Sequence, residues 1–173
     1  MTLYLIACLD KNNAIGYHNR LLFHLQADMT QFRQATTGHT ILMGRKTFES
    51  LPHGALPHRR NIVISHQDLS LQGCDVYHSI DEALDSCQKE NTVFVIGGAS
   101  IYEQTIGRAD RLYLTEVEET CQQADSHFPQ FNKKEWNICS SILQKEKNKN
   151  TNRTYTFSFR IYERKIKSKK VAP

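Results

Sequence analysis

The sequence predicts an α/β fold, a mainly parallel sheet with an antiparallel edge, and three observations carry that prediction. Short apolar runs at 3–9, 40–43, 62–65, 92–96 and 111–117 have the continuous hydrophobicity of strands covered on both faces. Helix-forming segments at 25–36, 79–87 and 99–106 separate several of them, the alternation that parallel crossovers require. Finally, 136–144 and 154–162 read as two strands joined by the polar stretch 145–153, most simply an antiparallel hairpin. A chain of 173 residues, 39% of them hydrophobic, suits one such domain. That domain is expected over residues 1–164, with a basic tail at 165–173 expected to be disordered.

The bulk composition excludes several classes. The net charge of +4 would suggest nucleic acid if it were spread over a face, but residues 160–173 alone carry +5, so the rest is −1. Five scattered cysteines form no CxxC pair and are odd in number, which argues against a disulfide framework and for free thiols in a reducing compartment. The eight histidines show no HxxxH or HExxH spacing, so no metal site is expected. The N-terminal apolar run becomes polar after nine residues, too early for a signal peptide, and no run approaches a membrane span. A soluble cytoplasmic protein is expected.

In chain order, the first strand at 3–9 runs into a long segment, 10–23, with Asn12, Asn13, Gly16 and Asn19; it should be a loop, and loops of that length are often functional. In a helix over 25–36, Leu25, Asp28, Met29, Phe32 and Thr36 share a face. Asp28 is then a carboxylate on an otherwise apolar face. It either complements the positive end of the helix dipole or is kept to receive donors from a ligand. Gly38 is expected to stop the helix.

The second strand, 40–43, leads directly into Gly44, Arg45, Lys46 and Thr47 and a short helix ending near Leu51. Such a junction can cradle phosphate with backbone N–H groups and cations; the plain alternative is a turn with a solvated Arg-Lys pair. Pro52, Gly54 and Pro57 mark an irregular loop before Arg59, Arg60 and the strand at 62–65. A weak strand at 76–77 precedes Ser79-Ile80-Asp81-Glu82, which has capping-box form and implies no chemistry. The strand at 92–96 ends in Gly97-Gly98, a place for close approach that a Cβ would forbid. This is not the GxGxxG dinucleotide fingerprint. The two glycine-bearing strand ends should lie along one edge of the sheet, where ligands of open α/β sheets bind.

Taken together, seven ordered segments resemble dihydrofolate reductase of the bacterial type over about residues 3–164: LIACLDKNNAIG, LxFHLxADMxxF, ILMGRKTFESL, LPHRRNIVIS, VFVIGGASIY, LYLTEVE and DSHFP. The resemblance implies an eight-stranded, mostly parallel sheet and NADPH-dependent reduction of dihydrofolate to tetrahydrofolate. It makes Asp28 the acid that accepts hydrogen bonds from the pterin, supported by Thr115. Ile6, Cys8, Met29, Phe32, Leu51 and Leu56 match the apolar walls around the substrate, and Arg59 the cation for its α-carboxylate. Read without the resemblance, Arg59 would be a solvated surface residue.

For the cofactor, the resemblance implies Gly44, Arg45, Lys46 and Thr47 at the phosphates, and Arg45 with Ser65 and His66 at the 2′-phosphate. Ala7, Ile15 and Gly16 would meet the cofactor from one side. Ile96, a cis-linked Gly97-Gly98 pair, Ala99, Ser100, Ile101 and Tyr102 would meet it from the other. Residues 9–24, with Leu21 and Phe23 at the reacting end, match a mobile loop, and Asp125 matches its anchor. The implied partners are dihydrofolate and antifolate inhibitors, with no nucleic acid or membrane and a monomeric working form.

The chain departs from the family's usual pattern at Leu22-Phe23, where Pro-Trp is usual, and at Gln26, where Pro is usual. Phe23 lacks an indole N–H, and two lost rings leave the loop less restrained, by about 0.4–1 kcal/mol per fitting proline. These changes are expected to alter loop closure and to weaken diaminopyrimidine antifolates such as trimethoprim. Two rivals remain: the NADPH-dependent reductase of riboflavin synthesis, against which Asp28 and Arg59 speak, and a nucleic-acid-binding module, which would explain only the tail.

Overall fold

In a computed structural model that describes residues 1–148 and 152–165, the elements follow the predicted order. They begin with β1 (Thr2–Leu9), β2 (Ala14–Tyr17), β3 (Arg20–Leu21), α1 (Gln26–Thr36), β4 (Thr40–Gly44), α2 (Arg45–Glu49), β5 (Arg60–Ile64) and β6 (Cys74–Tyr77). They continue with α3 (Ile80–Asp85), β7 (Thr92–Gly97), α4 (Ala99–Thr105), β8 (Arg111–Val117), β9 (Ser126–His127), β10 (Trp136–Lys147) and β11 (Thr154–Arg164). Eight strands form one sheet in the order β10-β11-β8-β1-β7-β4-β5-β6. Strands β8 through β6 pair in parallel, while β11 joins β8, and β10 joins β11, antiparallel. Among the described residues no helix is long and apolar enough to cross a membrane.

The continuous apolar strands are buried on both faces because successive side chains point to opposite sides. Leu5, Leu42, Ile62 and Val95 pack in one cluster with α3 and α4, whereas Ile6, Ile41, Val63 and Phe94 pack in another with Phe32, Leu51 and Leu56. Each such fully buried side chain contributes about 1.5–3 kcal/mol.

Two expectations need correction. Residues 10–23 are not simply a loop: β2 and β3 pair with each other, and β2 pairs with β9 in a separate three-stranded sheet. Strands this short carry little periodic signal, and their partner lies about a hundred residues away, so only the turn residues were legible. Asn13, His18 and Asn19 indeed take left-handed backbone. The hairpin is also longer than its polarity suggested. Lys145 to Lys147 continue β10 against Thr154 to Thr156, because an edge strand facing solvent has no apolar signature to lose. Of the basic tail only Lys165 is described; 166–173 lie outside the described residues.

Candidate active site

Helix α1 carries Asp28 into the protein. The helix ends where Gly38 adopts φ +82, the left-handed backbone of a glycine after the last turn; its N–H goes outside the helix, to the His58 carbonyl (2.9 Å). Its start is less ordinary: Leu25 stands at the N-cap and supplies no side-chain bond. The backbone N–H groups of Gln26 and Ala27 are instead bound by the two carboxylate oxygens of Glu146 on β10, at 2.7 and 2.8 Å. Nothing in the local pattern pointed to Glu146; the only cue was the absence of a capping residue at 25.

Asp28 is 8% exposed, and Thr115 Oγ1 on β8 donates to its Oδ1 at 2.6 Å. Among the described residues, no other hydrogen bond reaches this carboxylate. Burial raises its proton affinity, Thr115 opposes that effect, and the Glu146 charge adds to it. The carboxylate in turn adds to the burial that pushes up Cys8 on β1 and Tyr102 on α4. Dipole complementarity alone does not require such depth. An acid with one internal donor and four lone-pair sites is arranged to take further donors from outside.

The surrounding walls match the expected set in part. Ile6 packs with Phe32, Leu51, Leu56 and Ile96 in one cluster. Met29 lies beside Asp28 in sequence but is 37% exposed. Arg59 is half-buried and anchored, its Nη1 donating to Thr36 Oγ1 (3.0 Å) and its Nε to the Pro57 carbonyl (3.0 Å). No carboxylate pairs with it among the described residues. Burial, then the like charge of Arg33, lowers its proton affinity, and an incoming carboxylate would relieve both effects.

The glycine-bearing strand ends lie side by side, Met43 opposite Gly97. Gly97 has φ +128 and is joined to Gly98 by a cis peptide. A Cβ on Gly97 or Gly98 would sit 3.3 Å from Thr47 Oγ1, and one on Gly44 3.2 Å from Ile101 Cγ1. Beside them a cleft of about 470 Å³ brings together Ser65, His66, Ser100 and Ile101, and adds Ser79, Gln104 and Arg108, which sequence reasoning missed. Arg45 does not join it; its guanidinium pairs with Glu49 at 2.5 Å. Lys46 is exposed, and its carbonyl accepts from Asn19 Nδ2 (2.9 Å). Tyr102 donates to the Ile6 carbonyl (2.7 Å), fixing α4 to β1.

The 9–24 segment is pinned at two places. Asp10, 1% exposed, accepts from the N–H groups of Asn12, Ala14 and Cys121 at 2.7–2.8 Å. Asp125 accepts from His18 N–H at 2.9 Å while its own N–H donates to the Gly16 carbonyl. Leu21 is exposed on β3, whereas Phe23 is core, packed with Leu25, Val117 and Phe157 and edge-on to Tyr155 at 5.8 Å. Ala7 and Ile15 are partly buried against the main core, with Gly16 next in β2.

Residues 2–164 match the sequence model of a family described as dihydrofolate reductase. The chain belongs to the dihydrofolate reductase family. The dihydrofolate reductase of Bacillus subtilis is 41% identical over 167 residues, 95% of each chain. That of Haemophilus influenzae is 41% identical over 138 residues, 80% of this chain and 85% of its own. A solved structure of Enterococcus faecalis dihydrofolate reductase complexed with NADP(H) and RAB-propyl aligns with TM-score 0.86 at 28% identity. It covers 95% of this chain and 97% of its own. The family therefore spans the whole described fold, including the acid on α1 and the paired glycines.

Proposed function

We propose that this protein reduces 7,8-dihydrofolate to 5,6,7,8-tetrahydrofolate with NADPH, and that the reduced product serves one-carbon metabolism. The observation that carries the reading is the buried, half-satisfied Asp28. Its carboxylate accepts the 2-amino group and adjacent N–H of the pterin, donors that arrive with the substrate. Thr115 holds Oδ1 in place for that contact. The substrate's own carboxylate meets Arg59, whose planar fork suits it and which has no anionic partner among the described residues. Ile6, Cys8, Met29, Phe32, Leu51 and Leu56 enclose the apolar middle of the molecule.

The residues present fit NADPH. Gly44, Gly97 and Gly98 leave the space that a Cβ would fill, and no side chain caps the helix starts at Gly44 and Gly98. Ser65, His66 and Ser100 line the adjoining cleft, and Arg45, Lys46 and Thr47 open α2 directly after Gly44, where they would meet the cofactor phosphates. The cofactor, when bound, supplies a hydride to the pterin. Ala7, Ile15, Gly16, Ile96, Ala99, Ile101 and Tyr102 orient and cover it, with Leu21 and Phe23 on the loop that excludes water. Asp28 favours the protonated pterin electrostatically while N5 takes its proton by way of water. The proposal includes a cytoplasmic, monomeric working form; sedimentation of the purified protein would check the monomer.

Loss of reduced-nicotinamide absorbance with NADPH and dihydrofolate tests the reading, with wild type beside Asp28→Asn. Turnover in the wild type with a large loss in the variant is expected. A folded wild type that binds NADPH but does not turn over dihydrofolate would reject the substrate and favour a riboflavin-type pyrimidine.

We also propose reduced sensitivity to diaminopyrimidine antifolates such as trimethoprim, because Phe23 carries no indole N–H and Gln26 stands where a proline ring would restrain the unfolded and open states of the loop. Phe23→Trp and Gln26→Pro, singly and together, should tighten trimethoprim inhibition. Unchanged inhibition constants would sink this idea.

A further inference from the structure

Helix α1 lacks a local cap, and its first two N–H groups are taken by one side chain from a strand more than a hundred residues away. Glu146 Oε1 accepts from Gln26 at 2.7 Å and Oε2 from Ala27 at 2.8 Å. A carboxylate at a helix start is stabilising, and here it is bidentate. The first of these bonds exists only because residue 26 is not a proline and retains its N–H. Asp28 is the next residue along the same turn.

We propose that Glu146 is a positioning residue of the active site, holding the first turn of α1 against β10 and setting both the placement and the charge surroundings of Asp28. The inference rests on the reading of Asp28 as the substrate-binding acid. The groups that bear on Asp28 can be named from each element: Cys8 from β1, Tyr102 from α4, Thr115 from β8 and Glu146 from β10. Burial pushes both Cys8 and Tyr102 up, so neither is charged at neutral pH. Among the described residues, Glu146 is therefore the neighbour that places a negative charge near Asp28. It makes Asp28 hold its proton to higher pH than burial and Thr115 alone would set.

The test is the pH dependence of kcat/KM for dihydrofolate in wild type, Glu146→Gln, Gln26→Pro and Asp28→Asn, beside their melting temperatures. The pH step that disappears in Asp28→Asn is assigned to Asp28. In Glu146→Gln, where an acceptor remains but the charge is gone, that step should move to lower pH. In Gln26→Pro, which deletes one donor and keeps the charge, it should stay closer to the wild-type position. Melting should fall in Glu146→Gln, and by less when Gln26→Pro is already present, since the two share a bond.

If Asp28→Asn loses turnover but Glu146→Gln titrates like wild type, the role given to Glu146 is overturned while that of Asp28 stands. A lowered melting temperature with an unmoved pH step would likewise reduce Glu146 to a structural cap and overturn the proposal. If Asp28→Asn keeps both turnover and the pH step, the reading of Asp28 itself fails.

Discussion

Helices α1 and α3 begin in opposite ways, and the contrast separates scaffold from site. At α3 the cap is local. Ser79 accepts from Glu82 N–H at 3.2 Å, and the Glu82 side chain reaches back to the N–H of His78. This is the capping box that the sequence spelled out, shifted by one residue on the return bond. At α1 the cap comes from Glu146 on the terminal hairpin. A local cap makes a helix start independent of the rest of the molecule. A remote cap ties the helix that carries Asp28 to the far edge of the sheet, and brings a second charge to the same turn.

The largest effect should come from the functional helix. Asp28→Asn should lower kcat/KM for dihydrofolate by about 3 kcal/mol, roughly 10²-fold, as removal of a buried charged partner does. The same change should stabilise the ligand-free protein at neutral pH. Because burial raises the Asp28 pKa on folding, its contribution to stability is fully present below the ordinary carboxylate value. That contribution is lost as pH rises through the folded value. The melting temperature of Asp28→Asn should therefore exceed that of wild type at pH 7 and converge with it in acid. A lower melting temperature at pH 7 would show that the carboxylate is structural, and would erase the contrast with α3.

Arg59→Leu should come next, raising KM for dihydrofolate roughly 10-fold or more with kcat little changed, the mark of an interaction made equally in ground and transition states. Comparison with a substrate lacking the α-carboxylate should remove the difference between variant and wild type. Asp125→Ala removes the acceptor that holds His18 N–H; it should cost about 1 kcal/mol, roughly fivefold, in kcat, read by steady-state kinetics. The smallest kinetic effect belongs to α3. Glu82→Ala, which removes the return bond to the His78 N–H, should lower stability by about 1 kcal/mol in denaturant titration and leave the kinetics for dihydrofolate unchanged. A kinetic effect as large as that of Asp125→Ala would mean that α3 is coupled to the chemistry.

What was legible in the sequence follows the same division. The buried strands announced themselves because covering on both faces demands unbroken apolar runs, and 111–117 was placed to the residue. Asp28 was visible because a carboxylate breaks an apolar face, and Gly97-Gly98 because paired glycines follow a buried strand. Glu146 was invisible. Its partners lie more than a hundred residues away, and in a strand of charged and polar residues one more glutamate carries no mark. Arg108 and Gln104 entered the cleft for the same reason, being surface-type residues placed by tertiary packing alone. Arg45 shows the converse, since a resemblance assigns a position but not a rotamer, and here the side chain turns to Glu49.

The most direct test of the account is a binding comparison at the acid. Dissociation constants would be measured for dihydrofolate and for its analogue lacking the 2-amino group, against wild type and Asp28→Asn. The account predicts that removing the amino group weakens binding to the wild type strongly and to the variant little, because the donor and the acceptor are the same contact. An equal loss in both proteins would contradict it, and would mean that the donors missing from around Asp28 do not come from the substrate.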